Sequence, residues 1–333
     1  MTTGAIAPSS QLVTVFGGSG FIGRHVVRAL ARRGYRIRVA VRRPDLAGHL
    51  QPLGAVGQIM AVQANVRYPE SIARAVAGAD IVINLVGILE ETGRQAFTSV
   101  HQNGARTIAE AAAKHNARLI HMSALSADTK SSSVYARTKA LGEEAVFKAV
   151  PDAIVFRPSV VFAPGDSFFN RFAALARALP VLEIIGADTR LQPVYAEDVA
   201  EAVARAVDGK AATGRVYELG GPQVKTLRAI VDDVQTVTFR KRSVIALPFS
   251  LARIQASVIE IIDKLTFGLL PDSMVITCDQ VRLLEQDNVV SAEAIAEGRT
   301  LEGLGIQPTA YEGIIEGYLW RFRRTGQFEE ARV

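Results

Sequence analysis

A glycine-rich turn close to the N-terminus constrains this chain more than any other feature. The run Leu12-Val13-Thr14-Val15-Phe16 is typical of a buried strand and stops at Gly17-Gly18-Ser19-Gly20-Phe21-Ile22-Gly23. Apolar residues then recur at helical spacing as far as Gly34, which is placed to end a helix. Glycine lets the backbone approach a phosphate closely, and the following helix N-terminus offers unpaired N–H groups. We therefore predict that the turn binds the pyrophosphate of a dinucleotide through Gly17, Ser19, Gly20, Phe21, Ile22 and Gly23.

Strand-like and helix-like runs alternate along most of the chain. The strand-like runs cover residues 37–41, 59–62, 81–86, 119–122, 153–156 and 216–219, and the helix-like runs cover residues 71–77, 103–115, 133–149, 168–178 and 196–207. This alternation predicts an α/β fold with a doubly wound parallel sheet of the Rossmann type. We expect a dinucleotide-binding domain over residues 11–222, with an excursion into a second lobe at about 165–187. A smaller, mainly helical C-terminal lobe is expected over residues 223–333.

Composition and charge exclude several classes of protein. The chain has 333 residues, of which 49% are hydrophobic and 21% charged, as is typical of a globular protein. A net charge of +5 is too small to indicate a nucleic-acid-binding protein. Cys278 is the only cysteine and the five histidines lack metal-ligand spacing, so we expect neither a disulfide nor a metal site. With no basic leader and no run of about 20 apolar residues, we expect a cytoplasmic protein, at most peripheral to a membrane.

The residues that follow the second and third strands indicate which dinucleotide binds. An acidic residue after the second strand favours NAD, whereas this strand ends in Arg42 and Arg43, which suit a ribose 2′-phosphate. We therefore expect NADP(H) rather than NAD(H), the alternative being that both arginines form a solvated sheet edge. Asn65 and Val66 are placed to contact the adenine, unless Asn65 is an ordinary loop residue.

A second motif carries proton chemistry. Tyr135 and Lys139 are four residues apart and share one face of a predicted helix, where the ammonium would favour the ionised phenol. Ser123, at the end of a predicted strand, is placed to hydrogen-bond a substrate carbonyl, although Ser126 is also close. We predict Ser123, Tyr135 and Lys139 as catalytic residues, the alternative for the last two being an ordinary surface pair.

These motifs resemble the short-chain dehydrogenase/reductase superfamily in its extended or atypical form. The resemblance rests on Gly17-x-x-Gly20-x-x-Gly23 with Ser123, Tyr135 and Lys139, and it continues through Asn84-Leu85-Val86-Gly87 and residues 157–162 and 192–200. It implies further cofactor contacts at the strand ends and in the loop over the nicotinamide, namely Leu85, Val86, Gly87, Met122, Pro158 and Val160, in addition to Tyr135 and Lys139.

A narrower resemblance is to the NAD(P)-binding accessory subunit of respiratory complex I. It rests on residues 80–87, 131–143 and 304–306 and on Leu247-Pro248-Phe249. It implies a structural NADPH that is bound without turnover, and docking on the peripheral arm of complex I near the quinone site and the membrane. The alternatives are an active NADP-dependent reductase or epimerase that acts on an apolar, quinone- or isoprenoid-like substrate, and a redox-sensing regulator.

The C-terminal lobe has the pattern of a docking surface. Residues 244–270 are mostly apolar but are interrupted by charges, which predicts an interfacial amphipathic helix with Ile254, Ile261 and Leu265 on its apolar face. Basic residues that would face anionic lipid or an acidic partner subunit flank it, namely Arg240, Lys241, Arg242, Arg321, Arg323 and Arg324. We expect a peripheral location on the cytoplasmic face of a bacterial inner membrane; the alternative is a lid over the nucleotide.

Overall fold

A computed structural model of the chain describes residues 10–93, 95–265 and 276–328. They form two compact units. The first unit comprises the chain up to Pro158 together with Ala196–Leu219 and Ser291–Gln307. The second comprises Ser159–Tyr195, Gly220–Val290 and the chain from Pro308 onward.

The first unit is built on a parallel sheet. The strands of the described chain are β1 (Leu12–Phe16), β2 (Arg36–Val41), β3 (Ile59–Gln63), β4 (Ile81–Asn84), β5 (Arg118–Met122), β6 (Ile154–Pro158), β7 (Val161–Phe162), β8 (Val181–Ile185), β9 (Arg190–Leu191), β10 (Val194–Tyr195), β11 (Arg215–Leu219), β12 (Lys225–Thr226) and β13 (Ser243–Leu247). Seven of them form one sheet in the order β11-β6-β5-β4-β1-β2-β3. Every neighbouring pair in it is parallel, which confirms the predicted fold class.

Helices connect these strands. They are α1 (Phe21–Arg32), α2 (Pro69–Val76), α3 (Ala105–Lys114), α4 (Val134–Ala149), α5 (Phe168–Ala178), α6 (Ala196–Val207), α7 (Leu227–Val237), α8 (Phe249–Leu265), α9 (Cys278–Leu283), α10 (Ala292–Ala296) and α11 (Tyr311–Leu319). Short 3₁₀ segments cover Pro44–Leu53, Trp320–Phe322 and Gly326–Phe328, and a π-helical turn covers Thr98–Gly104.

The inner strands of the seven-stranded sheet are buried on both faces, because helices cover each face. All four residues of β4 are buried, and β1 and β5 are buried except at their first residues. One face packs against Ile72 of α2, Ile108 of α3 and Val146 of α4, and α1 packs against α6. Since the strands are parallel, the carboxyl ends of β6, β5, β4, β1, β2 and β3 meet along one edge.

The second unit is smaller and combines helices with short two-stranded sheets. These sheets pair β10 with β7, β12 with β9 and β13 with β8. Its main core is aromatic and includes Phe162, Phe169 and Tyr311, whose rings contact one another at centroid distances of 5.2–6.2 Å. Asp166 is buried in this unit and accepts a hydrogen bond from the Tyr318 hydroxyl.

The division of the chain differs from the expected one at residues 291–307. The sequence predicts that they belong to the C-terminal lobe, but the structure places them in the first unit. The Ser291 N–H donates to the Glu218 carboxylate (2.7 Å), and the Arg299 side chain donates to the Val216 carbonyl (2.8 Å). Both contacts attach this segment to the edge strand β11, which the local sequence pattern does not reveal.

The predicted amphipathic helix over residues 244–270 was wrong at its start. Ser243–Leu247 forms strand β13, which pairs in parallel with β8, and α8 begins at Phe249. The β-branched pair Val244-Ile245 favours a strand, and Pro248 separates it from the helix. Residues 266–270 of the predicted helix lie outside the described residues.

The π-helical turn packs closely against α4, and a glycine makes this possible. A Cβ atom at Gly142 would lie 2.4 Å from the carbonyl oxygen of His101. Because the clash would be with backbone, one of the two helices would have to shift. Gly142 therefore sets the distance between the turn that carries His101 and the helix that carries Tyr135 and Lys139.

We expect Gly142→Ala to destabilise the protein by about 1–3 kcal/mol, the usual cost of overpacking a core. A matched control is Gly313→Ala, because Gly313 is also helical but a Cβ there would meet nothing within 4 Å. That change should stabilise the protein by about 0.5–1 kcal/mol through helix propensity. Urea unfolding of both variants tests the pair, and equal effects of the same sign would contradict the close approach.

Candidate functional site

The glycine turn has the geometry expected of a phosphate-binding loop. Gly17 has a φ of +77°, and its N–H donates to the Ala40 carbonyl (3.2 Å). A Cβ at Gly23 would lie 2.3 Å from the Gly17 oxygen, so α1 starts directly against the turn. The N-cap residue of α1 is Gly20, which has no side chain to cap the helix. The first amides of α1 are thereby left to bind an anion, and this fits a pyrophosphate.

The loops after the neighbouring strands complete this edge of the sheet. A Cβ at Gly17 would lie 3.2 Å from the Leu85 carbonyl carbon and 3.3 Å from a Val86 methyl, so the turn after β1 touches the loop after β4. On the other side, the Asn65 N–H donates to Ser71 Oγ (3.0 Å), and Val66 packs against Gly104. The residues predicted at these strand ends therefore lie along one edge.

Arg42 and Arg43 are not equivalent in the structure. Arg43 is exposed and forms an ion pair with Asp45 (2.7 Å). Arg42 instead lines a cavity of about 560 Å³, and its guanidinium donates to Gln95 (2.6 Å). The other lining residues are Gln63, Asn65, Tyr68, Pro69, Glu70, Ser71 and Arg74. Sequence reasoning missed Tyr68 and Arg74, because only the fold brings the start of α2 beside the end of β2.

The predicted catalytic residues lie at the ends of β5 and α4. Ser123 directly follows β5 and is buried, and its N–H donates to the Phe156 carbonyl (2.7 Å). Tyr135 and Lys139 lie on the first turns of α4, which Ser133 caps by accepting the Ala136 N–H. Lys139 Nζ lies 6.0 Å from the centroid of the Tyr135 ring. It donates to the carbonyl of Met122, another predicted cofactor contact, at 3.2 Å.

Burial dominates the electrostatics of this pair. It lowers the pKa of Lys139 from 10.5 to about 8. It also raises the pKa of Tyr135 from 10.0 to about 12. The sequence predicts the opposite direction for the tyrosine, because a nearby ammonium favours phenolate. In the free protein, desolvation of the phenol outweighs that attraction, so Tyr135 is neutral near pH 7.

His101 belongs to the same cluster, although no sequence signal indicates it. Its Nε2 accepts the Ile88 N–H (3.1 Å), so Nδ1 carries the proton and donates to Thr138 Oγ1 (3.2 Å). Its ring packs edge-on against Tyr135 at 5.2 Å, as does that of Phe97 at 5.7 Å. Burial, followed by the charge of Lys139, lowers the pKa of His101, which stays neutral. A π-helical turn, which sequence patterns do not reveal, positions it.

Two buried polar atoms at this end of the sheet have no hydrogen-bond partner among the described residues, Ser123 Oγ and His121 Nε2. His121 Nδ1 is hydrogen-bonded to the Asn84 amide (3.1 Å). Burial and the charge of Lys139 lower the pKa of His121 to about 3. A buried hydroxyl without a partner is costly, so Ser123 fits a role in binding a polar group of a ligand.

Two predicted contacts remain, at the end of β6. Pro158 ends that strand, and its carbonyl accepts the Leu125 N–H (3.1 Å). Val160 lies in the second unit, where it packs against the aromatic core.

Within residues 10–93, 95–265 and 276–328, no group of three or more His, Cys, Asp and Glu side chains is placed to hold a metal ion.

Comparison with known families agrees with this site. The family model of the NAD dependent epimerase/dehydratase family matches residues 13–220, which include the glycine turn, Tyr135 and Lys139. The chain belongs to the NAD dependent epimerase/dehydratase family. Its name implies a nicotinamide dinucleotide as ligand, and open parallel sheets bind such ligands at the carboxyl ends of their strands.

Several known proteins are similar to this chain. Mitochondrial NADH dehydrogenase (ubiquinone) 1 alpha subcomplex subunit 9 of Arabidopsis thaliana is 32% identical over 98% of this chain and 81% of its own length. The protein of the same name from Rattus norvegicus is 36% identical over 93% of this chain and 80% of its own length. The ceramide reductase of Caulobacter vibrioides is 36% identical over 57% of this chain and 58% of its own length.

Solved structures share the fold. The NADPH-dependent quinone oxidoreductase QOR2 of Escherichia coli, complexed with NADPH, has a TM-score of 0.69 at 18% identity and covers 92% of this chain and 99% of its own. The UDP-glucose 4-epimerase of Thermus thermophilus with NAD has a TM-score of 0.65 at 19% identity and covers 94% of this chain and 99% of its own.

In the part of the chain that the structure describes, no helix is long and apolar enough to cross a membrane.

We expect Lys139→Met to stabilise the nucleotide-free protein at pH 7, by about 3 kcal/mol at most. The pKa of Lys139 is about 8 in the folded state against 10.5 in the reference state, so the unfolded chain binds more protons between those values. Stability therefore rises with pH through that interval, and below pH 8 the full cost of burying the charge remains. The advantage of the variant should disappear by about pH 10.5.

Urea unfolding at pH 7 and pH 10.5 measures this difference. Lys148→Met is the control, because Lys148 lies on the same helix but is exposed. It should change stability little at either pH. Destabilisation of the Lys139→Met protein by the same amount at both pH values would show that the effect does not depend on the charge of Lys139, and it would contradict this prediction.

Proposed function

We propose that this protein is an NADP(H)-binding accessory subunit of respiratory complex I that holds its nucleotide as a structural ligand. The observation that carries the proposal is the similarity, over 93–98% of the chain, to proteins named as subunits of mitochondrial NADH dehydrogenase. The glycine turn and the strand ends beside it supply the nucleotide site. Ser123, Tyr135 and Lys139 then serve as contacts of the nicotinamide end, since burial keeps Tyr135 neutral.

The choice of NADP(H) over NAD(H) is supported by the cavity beside β2. Arg42 and Arg74 line it together with Asn65, so two guanidinium groups are available to a 2′-phosphate next to the adenine position. Arg43 is already paired with Asp45 and contributes less. The 2′-phosphate is the part of NADP(H) that NAD(H) lacks, so these arginines would decide between the two.

We expect Arg42→Met and Arg74→Met each to weaken NADPH binding by about tenfold or more, because a charge-assisted hydrogen bond contributes about 1.5–3 kcal/mol. NADH binding should hardly change. Arg43→Met should have a smaller effect, and Arg36→Met, at the opposite end of β2, should have none. Binding isotherms for both nucleotides test the set. An unchanged preference in the Arg42→Met, Arg74→Met double variant would rule out this cavity as the phosphate site.

The pattern of burial along α8 supports docking on the membrane side of complex I. This helix buries small residues in its own unit and exposes several large apolar ones. Ala252 and Ala256 are fully buried. Four large apolar residues of the helix are instead exposed, namely Leu251 (54%), Ile254 (64%), Val258 (49%) and Ile262 (42%). We call these four residues the α8 stripe. An exposed apolar stripe of this kind needs a cover, and we propose the surface of the inner membrane, on its cytoplasmic face, beside the quinone site.

Most of the basic residues that were expected to face anionic lipid or an acidic partner instead form hydrogen bonds within the second unit. Arg240 donates to the Phe322 carbonyl (3.0 and 2.8 Å), and Arg242 donates to the Ala176 carbonyl (2.9 Å). Arg321 donates to Asn170 (2.5 Å), and Arg323 to the Val237 carbonyl (2.8 Å). We therefore propose that apolar burial by the α8 stripe contributes more to docking than attraction to anionic lipid, so added salt should release little protein.

Purification of complex I from native membranes tests the assembly. The protein should co-purify with complex I and carry NADPH. Replacing Leu251, Ile254 and Val258 with serine should release it, because each buried side chain contributes about 1.5–3 kcal/mol and three together change association by about a hundredfold or more. The matched control replaces three exposed residues of the first unit, Val56, Met60 and Ile295, with serine and should stay bound.

The outcomes separate the possible roles. Release of the stripe variant with unchanged nucleotide affinity supports docking through α8. If the stripe variant and the control both stay in the complex, the α8 stripe is not the docking surface. If the wild-type protein is absent from complex I, the alternative gains support, namely an active NADP-dependent reductase in which Ser123 and Tyr135 contact an apolar carbonyl substrate.

A further inference from the structure

The loop that follows β4 is fixed at both of its ends. Within the described chain it covers residues 88–93 and 95–97, and we call it the β4 loop. At its start the Ile88 N–H donates to His101 Nε2 (3.1 Å). At its end the Phe97 ring stacks on the His101 ring at a centroid distance of 5.4 Å. Both ends of the loop therefore rest on one side chain of the π-helical turn.

The tip of the β4 loop also has a defined shape. Thr92 and Gln95 exchange backbone hydrogen bonds, with N···O distances of 3.2 and 2.9 Å. The Glu91 carboxylate accepts the Phe97 N–H (2.7 Å), which holds the two sides of the tip together. The backbone of Gln95 is thereby held in place, so its side chain starts from a fixed position.

The Gln95 side chain connects this loop to the end of β2. Its Oε1 accepts a hydrogen bond from the Arg42 guanidinium at 2.6 Å, and we call this hydrogen bond the Arg42–Gln95 bridge. In the sheet, β1 lies between β4 and β2. The Gly17 N–H at the end of β1 donates to the Ala40 carbonyl of β2, and the same turn touches Leu85 after β4. The bridge thus joins the two segments that flank the glycine turn.

A neutral partner holds Arg42 in this bridge without removing its charge. Arg43, by contrast, is paired with the carboxylate of Asp45, which neutralises it. One guanidinium nitrogen of Arg42 donates to Gln95, and the others have no hydrogen-bond partner among the described residues. Arg42 also lines the cavity that we propose for the 2′-phosphate. Gln95 therefore positions Arg42 and leaves it able to bind an anion.

We propose that Gln95 is a positioning residue that closes the bridge over a bound dinucleotide and slows its exchange. A nucleotide whose pyrophosphate lies at the glycine turn is enclosed by the two joined segments, so it enters or leaves only while the bridge is open. For NADH the bridge slows both directions equally, and for NADPH it also holds Arg42 at the 2′-phosphate. The inference rests on the proposed nucleotide-binding function and adds how the site retains its ligand.

Stopped-flow kinetics of the full-length protein, stripped of nucleotide and reloaded with NADPH or NADH, test this. Excess NADP⁺ or NAD⁺ displaces the reduced form, whose fluorescence reports its release, and association is followed by the same signal. In Gln95→Met, NADH should associate and dissociate about fivefold faster or more, with little change in Kd, because no hydrogen bond to a charged group has to break first. NADPH should also dissociate faster, and its Kd should rise because Arg42 is no longer held. Thr98→Ala is the control, because Thr98 is exposed and lies directly after the loop, and it should behave as wild type.

Gln95→Glu separates the bridge from the charge of Arg42. A carboxylate keeps the bridge as an ion pair, so NADH should dissociate as slowly as from the wild-type protein. The carboxylate also neutralises Arg42 and repels a phosphate, so the Kd of NADPH should rise by about tenfold or more. A merely structural effect of the Gln95 side chain would instead change both nucleotides alike in both variants.

Each result bears on the inference. Unchanged rates for both nucleotides in Gln95→Met overturn the role of the bridge while leaving nucleotide binding intact. Tighter binding of NADPH by that variant would show that the bridge obstructs the site, and this also overturns the inference. A wild-type protein that binds neither nucleotide overturns both the inference and the proposed function. Thermal unfolding shows whether each variant is folded, and Gln95→Ala, which also lacks the amide, decides the matter if Gln95→Met is not.

Discussion

The site depends on the position of β1 between β2 and β4 in the sheet. The chain winds outward from β1 through β2 to β3 and then returns to the other side of β1, so the connections that follow β1 and β4 depart in different directions. Ligands bind in the crevice that such a reversal opens at the carboxyl ends of the strands. Here the two loops touch at its base, where a Cβ at Gly17 would lie 3.2 Å from the Leu85 backbone. The topology therefore sets where a nucleotide can bind, and glycine keeps that place accessible.

Lys139 is a predicted site residue whose burial reduces the stability of the fold. A buried ammonium destabilises a fold unless a partner compensates it, and here Glu143 is already bonded to Arg157. A methionine would fill the same space without the desolvation cost. Residues that reduce stability in this way are found mostly at functional sites, and this supports the prediction that Lys139 contacts a ligand.

The sequence was sufficient to predict the elements whose patterns are local. The bounds of β1, α5 and α6 agree with the predicted runs, because a short β-branched run within a strand and periodicity within a helix are visible in short windows. The sequence also pointed to the glycine turn, Ser123, Tyr135 and Lys139, which the structure brings to one edge of the sheet, while their roles stay predictions. Their electrostatics could not be predicted, because the pKa of Tyr135 depends on burial, which is a property of the packed structure.

What the sequence could not predict depends on contacts between distant segments. His101 reaches the site only because a π-helical turn packs against Gly142. Arg74 joins Arg42 at one cavity only because α2 starts beside the end of β2. Strand β13 forms where β8 offers it a parallel partner, whereas the sequence predicts a helix for this segment because the apolar run continues beyond it. In each case the deciding partner lies far away in the sequence.

The packing of α8 differs from that of an ordinary core helix. A core helix buries its large side chains, whereas α8 buries Ala252 and Ala256 against a small cluster that includes Ile185 and Val281. Burying alanine removes little apolar surface from water, so these two residues contribute little to the attachment of α8, to which Phe249 at its start also contributes. Its neighbouring charge is also satisfied locally, since Arg253 bonds Glu285 (3.0 Å). An apolar and nearly neutral surface of this kind is stabilised by contact with a hydrophobic phase, and that contact persists when salt screens charges.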